Sequence, residues 1–163
     1  MSADVTTPVS LERLSETLTG IGIVPFVAPG NQVAAILPPA RVIRFVVQDN
    51  RPVHGIAEWH RLLAPWHRKA ATQATRTVNA TTYLPKLSVA DSAAGGLVVR
   101  AQHVFMWPVG ATDVQLRGEV EQFIRATFAA FSTLEKTFID PWGPLSPAHD
   151  SATLTTPKEQ SND

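Results

Sequence analysis

The chain has 163 residues, 44% of them hydrophobic and only 17% charged, with Lys+Arg and Asp+Glu balanced at 14 each. That length suits one domain, and a net charge of zero excludes a dedicated nucleic-acid coat or a polybasic membrane-surface protein. The absence of cysteine excludes a disulfide scaffold, a thiolate zinc site, an Fe–S cluster and a Cys nucleophile.

Residues 1–8 are small and polar, with neither the basic nor the apolar region of a signal peptide. They are expected to be disordered, and the chain is expected in the cytoplasm. No apolar run approaches the roughly 18 residues of a membrane span, so no membrane partner is expected. A helix should follow. Ser10 can cap it, Glu12 lies in its first turn, and Leu11, Leu14, Leu18 and Ile21 recur at helical spacing before Gly20 and Gly22 stop it.

From Ile23 onward the period shortens to about two. Strands are predicted over Ile23–Val27, Gln32–Leu37, Arg41–Gln48 and Val53–His60, punctuated by Pro29-Gly30-Asn31, Pro38-Pro39 and Asp49-Asn50-Arg51-Pro52. Connections this short leave no room for crossover helices, so the pairing should be an antiparallel meander. Pro65 opens a second helix, Trp66 to about Thr81, with Ala70, Ala71, Ala74 and Val78 as a thin apolar stripe.

Beyond Pro85, Lys86–Ala90 and Leu97–Trp107 form a hairpin around Asp91–Gly96. Thr112 caps the last helix, where Leu116, Val120, Phe123, Ile124, Thr127, Phe128, Phe131, Leu134 and Phe138 keep helical spacing. About 27 residues at 1.5 Å each make it roughly 40 Å long. The order α-β-β-β-β-α-β-β-α makes an α+β fold, a sheet of about six antiparallel strands with helices packed on it. Residues 143–163 form a polar tail without periodicity, expected to be disordered. The single folded domain therefore spans residues 9–142.

Alternation divides the strands into two faces. Ile43, Phe45, Val53, Ala57, Trp59, Val99, Ala101, His103, Phe105 and Trp107 make an apolar face for the helices to cover. Phe45, Trp59, Phe105, Phe123, Phe128 and Phe131 are expected to be buried there. The other face carries Arg44, His54, Glu58, His60, Arg100 and Gln102 among Val42, Val46, Ile56, Val98, Val104 and Met106. A face meeting only water would carry more charge and fewer branched aliphatics. Aliphatics ringed by Arg and His suit a protein-binding or self-association surface. A homodimer, or a dimer awaiting an unknown protein segment, is expected there, with the second helix adding to the contact.

A short leading helix and a meander ending in Trp59 resemble the YbjN-like domain. So do the stretch from Val78-Asn79 through Pro85-Lys86-Leu87-Ser88-Val89, the Val109–Leu116 approach to the last helix, and the closing Asp140-Pro141-Trp142. Such domains are described as proposed bacterial sensory transduction regulators, and the actinobacterial branch is the most similar. The resemblance covers residues 9–142. It implies a fold like the class I type III secretion chaperones, a tendency to homodimerise, and no catalytic residues. Family members often carry a second Asn and an aromatic near Asn79, where this chain has Arg76 and Val78.

Other chemistry is thinly represented. His54 and His60 share a strand face but sit about 20 Å apart at 3.3 Å per residue, too far for one metal. His103, on the apolar face, reads as a buried histidine bonded to its neighbours; a zinc site would need further ligands, and Glu58 is the only acid in the strands outside turns. Trp59-His60-Arg61 and Trp66-His67-Arg68 repeat a tripeptide that can stack bases or pair with phosphates. Segment 41–100 holds nine Lys/Arg against three Asp/Glu. The alternative is that Trp59 ends a core strand and Trp66 begins a helix. Asn79 can cap the second helix or hold the next loop, and Lys86 is an exposed base on a short strand; both are also candidates for contact with a partner. No G-x-S-x-G, H-E-x-x-H, P-loop or G-x-G-x-x-G occurs. The expectation is therefore a non-enzymatic, protein-binding regulatory domain with no cofactor and no metal. A small-ligand or nucleic-acid module using the basic middle segment is the alternative.

Overall fold

The computed structural model describes residues 4–139. The expectation for the tail 143–163, and the closing Asp140-Pro141-Trp142, lie outside the described residues. Helix α1 (Leu11–Gly20) starts where Ser10 Oγ accepts from the Arg13 amide at 3.2 Å. It ends in a Schellman motif: Ile23 N–H reaches the Leu18 carbonyl at 2.9 Å and Gly22 N–H the Thr19 carbonyl at 3.0 Å. That motif needs a left-handed residue, and Gly22 has φ +84°. It also occupies Ile23, so the first strand begins later than the period suggests.

Strands β1 (Phe26–Ala28), β2 (Gln32–Leu37), β3 (Arg41–Val46) and β4 (Val53–Glu58) form the antiparallel meander. A single 3-10 turn, Pro65–His67, leads into α2 (Arg68–Thr81), then β5 (Lys86–Asp91), β6 (Leu97–Phe105) and α3 (Asp113–Thr137). The sheet has six strands in the order β1-β2-β3-β4-β6-β5, antiparallel throughout. No helix among the described residues is long and apolar enough to cross a membrane.

One cluster forms the core. Leu14 and Leu18 of α1, Ala71 and Val78 of α2, and Leu116, Val120, Phe123, Phe131 and Leu134 of α3 meet Val33, Ile43, Phe45, Leu87, Val99 and Phe105 of the sheet. At its centre Phe45, Phe105 and Phe123 pack with ring centroids 5.8–5.9 Å apart. Gly55 of β4 lies beneath two of these rings, and a Cβ there would meet Phe105 at 2.9 Å and Phe123 at 3.0 Å.

Three expectations change. Phe128 is half-buried rather than buried, because Arg41 occupies the inner face at the start of β3 and lies 4.6 Å over its ring. Helix α2 packs on β5 and α3, on the helical side, through Ala71, Thr75 and Val78, while Ala70 is exposed. It therefore cannot share a contact with the bare side of the sheet. Finally, composition predicts a free leading segment, yet Thr7 pairs with Ala111 and Arg13 reaches from α1 to the Ala111 carbonyl at 2.9 Å and Asp113 at 2.7 Å. Residues 4–8 hold on by polar contacts that apolar periodicity does not register.

Candidate protein-binding face

Among the described residues, no helix covers the outer face of the sheet. Strand register puts Phe26, Ala34, Arg44, Ile56 and Gln102 in one row across it, with Val46, His54 and Val104 in the next and Val42, Glu58 and Arg100 on the other side. Its apolar side chains are unevenly exposed. Ile36 is 63% exposed, Phe26 47%, Val104 41% and Met106 75%, whereas Val46, Ile56 and Val98 are partly shielded by their cross-strand neighbours.

Charge is concentrated at one point. Glu58 Oε1 accepts from Arg100 Nε at 2.9 Å and from Arg44 Nη2 at 3.5 Å, three strands contributing one residue each. All three side chains are a little over one-third exposed. The cluster carries one net positive charge, and water still screens it. Partial neutralisation lowers the desolvation penalty of covering these groups with a partner. His54 and Gln102 are exposed on the same face.

The remaining predicted residues lie elsewhere. Strand β4 ends at Glu58, so alternation no longer governs His60. Its side chain is largely covered and its Nδ1 stands 3.9 Å from Glu135 of α3, which corrects its assignment to the outer face. Asn79 bonds to both backbone groups of one residue: its Nδ2 donates to the Leu87 carbonyl at 2.9 Å, and Leu87 N–H donates to its Oδ1 at 2.7 Å. It thereby ties α2 to β5. Lys86 Nζ donates to the Asn79 and Thr82 carbonyls at 3.0 and 2.6 Å, capping the C-terminal end of α2.

The basic middle segment is mostly engaged internally. Arg41 pairs with Glu135 at 3.0 Å, Arg44 and Arg100 share Glu58, Arg68 pairs with Asp91, and Arg61 stacks on Trp59 and bonds to the Phe138 carbonyl. Among the described residues Arg51, Lys69 and Arg76 make no ion pair, and they sit on a hairpin and on α2 rather than in one patch. Tryptophan splits likewise: Trp59 is buried and Trp66 is 81% exposed. No group of three His, Asp or Glu side chains among the described residues could hold a metal ion. His103 is half-buried against Phe105 and Phe123. Desolvation pushes its pKa below the ordinary 6.5, with Glu119 opposing that shift.

A second feature escaped sequence reasoning. At one end of the sheet the β3–β4 hairpin, the β6–α3 connection and Pro8-Val9 enclose a cleft of about 540 Å³, walled by Pro52, Phe105, Met106, Trp107 and Val109. Its walls come from three separate stretches, so no local pattern announces it.

No family model and no curated protein sequence matches the chain. Among solved structures it is similar to YbjN of E. coli, a proposed transcription regulator. The TM-score is 0.63 at 16% identity, over 81% of this chain and 95% of that one. It is also matched to the Yersinia pestis type III secretion chaperone SycH, solved with a fragment of YscM2, at a TM-score of 0.42 and 11% identity, over 72% and 96% of the two chains. The α+β fold is thus that of the YbjN structure.

Proposed function

We propose that this chain is a non-enzymatic protein-binding domain of regulatory type that associates with a second copy of itself, or with a protein segment, through the outer face of its sheet. The single observation behind this reading is that face: aliphatic and aromatic side chains with no covering helix among the described residues, grouped around the Arg44–Glu58–Arg100 cluster. Interface cores favour such a composition, apolar residues with Arg and little other charge. Likeness to YbjN supports the regulatory part of the reading, and the resemblance of the sequence to YbjN-like domains agrees with it. The internal pairing of the basic side chains weighs against the nucleic-acid alternative.

Sedimentation tests it. The unmodified chain should be dimeric at high micromolar concentration. Replacing Val46 and Val104 together by Glu places unpaired charge in the contact and should yield a folded monomer. A monomeric unmodified chain refutes self-association. An unfolded double variant shows that those valines belong to the core.

A further inference from the structure

The sheet ends in two strands that pair on one side only, β1 and β5. Such edges template pairing with other chains, and folded proteins blunt them. Strand β1 is blunted by its sequence: it has three residues, with Pro25 before it and Pro29 after it, so it offers no long row of donors. Strand β5 has six residues and no proline. The charges at its two ends are already engaged, Lys86 with the Asn79 and Thr82 carbonyls and Asp91 with Arg68.

The ladder decides which backbone groups of β5 face outward. On β6 the Val99 carbonyl accepts from Trp59 N–H, and Leu97 exchanges bonds with Leu63, so the odd-numbered residues turn away from β5. The even-numbered residues of β6 therefore bond to Lys86, Ser88 and Ala90, their register partners. That leaves the N–H and C=O groups of Leu87, Val89 and Asp91 directed out of the sheet. Asn79 takes both groups of Leu87, at 2.7 and 2.9 Å, as a neighbouring strand would. Among the described residues no hydrogen bond reaches the outward groups of Val89.

We infer that the Asn79 side chain closes the β5 edge against a second copy of this chain, and that without it two copies join β5 to β5, antiparallel about a two-fold axis. The edge is self-complementary about Val89. Leu87 would face Asp91 of the second copy, Val89 its own counterpart, and Asp91 the other Leu87. Each such pair exchanges two backbone bonds. With Asn79 on Leu87 both outer pairs are lost, since each contains a Leu87. The single pair left at Val89 does not offset the freedom that two molecules give up on association. Closed edges also direct association to the outer face of the sheet.

Sedimentation and amide hydrogen exchange on the full-length chain test the closure. At high micromolar concentration Asn79→Ala should show about twice the mass of the unmodified chain, the step that an isologous contact adds. The reference is the unmodified chain itself, monomer or outer-face dimer, so failure of the outer-face reading leaves this comparison intact. The Leu87, Val89 and Asp91 amides of the variant should exchange rapidly when dilute and more slowly as concentration rises, which places the contact on the edge. A folded Asn79→Ala of unchanged mass overturns the inference, and so does association that leaves those amides unprotected. If Asn79→Ala fails to fold, the unmodified chain decides. A Leu87 amide that exchanges at least about tenfold more slowly than that of Val89 supports the closure, and equal rates overturn it.

Discussion

Gly55 shows how one residue admits the aromatic core. With no side chain on β4 at that point, Phe105 and Phe123 can lie directly on the sheet. A methyl group would force both rings, and Phe45 behind them, from their places. Gly55→Ala should therefore destabilise the protein by about 1–3 kcal/mol, the range for overpacking a core. Urea denaturation measures it, and an unchanged midpoint would mean the rings have slack. The sequence signals this position only as a gap in the inner row of β4, between Val53 and Ala57. Alternation was a sound guide for Arg44, Glu58 and Arg100, because all three sit within regular strands. It misplaced His60, two residues past the end of β4, where the side chain turns to Glu135.

Helix α3 shows the limits of periodicity. Spacing ranks Phe128 with Phe131, yet at 100° per residue Phe128 stands about 140° around the axis from Phe123. Phe131 is fully buried, whereas Phe128 sits at the margin beneath the Arg41 guanidinium. Phe131→Ala should cost about 3–5 kcal/mol, as for a core phenylalanine. Phe128→Ala should cost clearly less, and equal losses in parallel melts would put Phe128 back in the core. What hid this in the sequence is Arg41: its odd position marks the inner face, and only the fold reveals Glu135 and Phe128 waiting there. Helix α2 is comparable. Its thin stripe of small residues suits close packing on β5, reinforced by the two bonds of Asn79 to Leu87, eight residues on, a contact that composition alone does not specify.

At the scale of the molecule, stability should depend on pH through His103. Burial against Phe105 and Phe123 holds its pKa below 6.5, so the unfolded chain binds the proton more readily than the folded one. That contribution is complete above pH 6.5 and is lost as the pH falls through the folded-state value; Glu119 moderates the loss. Melting temperatures taken from neutral to mildly acid pH should fall, and fall less for His103→Gln. Equal slopes would remove His103 from the explanation. The sheet itself was only partly readable. Short turns dictate the β1–β4 meander and the β5–β6 hairpin, but nothing local decides which strand of that hairpin docks on β4. That choice is long-range, and β6 takes it: its nine residues are long enough for Arg100–Phe105 to pair with β4 and Leu97–Gln102 with β5.

The insertion of β6 between β4 and β5 bears on how the protein is made. Synthesis delivers β1 to β4 first, and their meander remains open at the β4 edge until residue 105 has emerged. The inner face stays bare longer still, since Phe123, Phe131 and Leu134 arrive only after β6. Until β6 and α3 have emerged, a nascent chain thus carries an unpaired strand edge and a bare apolar sheet face, the combination that invites aggregation and holding by chaperones. The inner face can be covered only once α3 has emerged and can lie across the sheet.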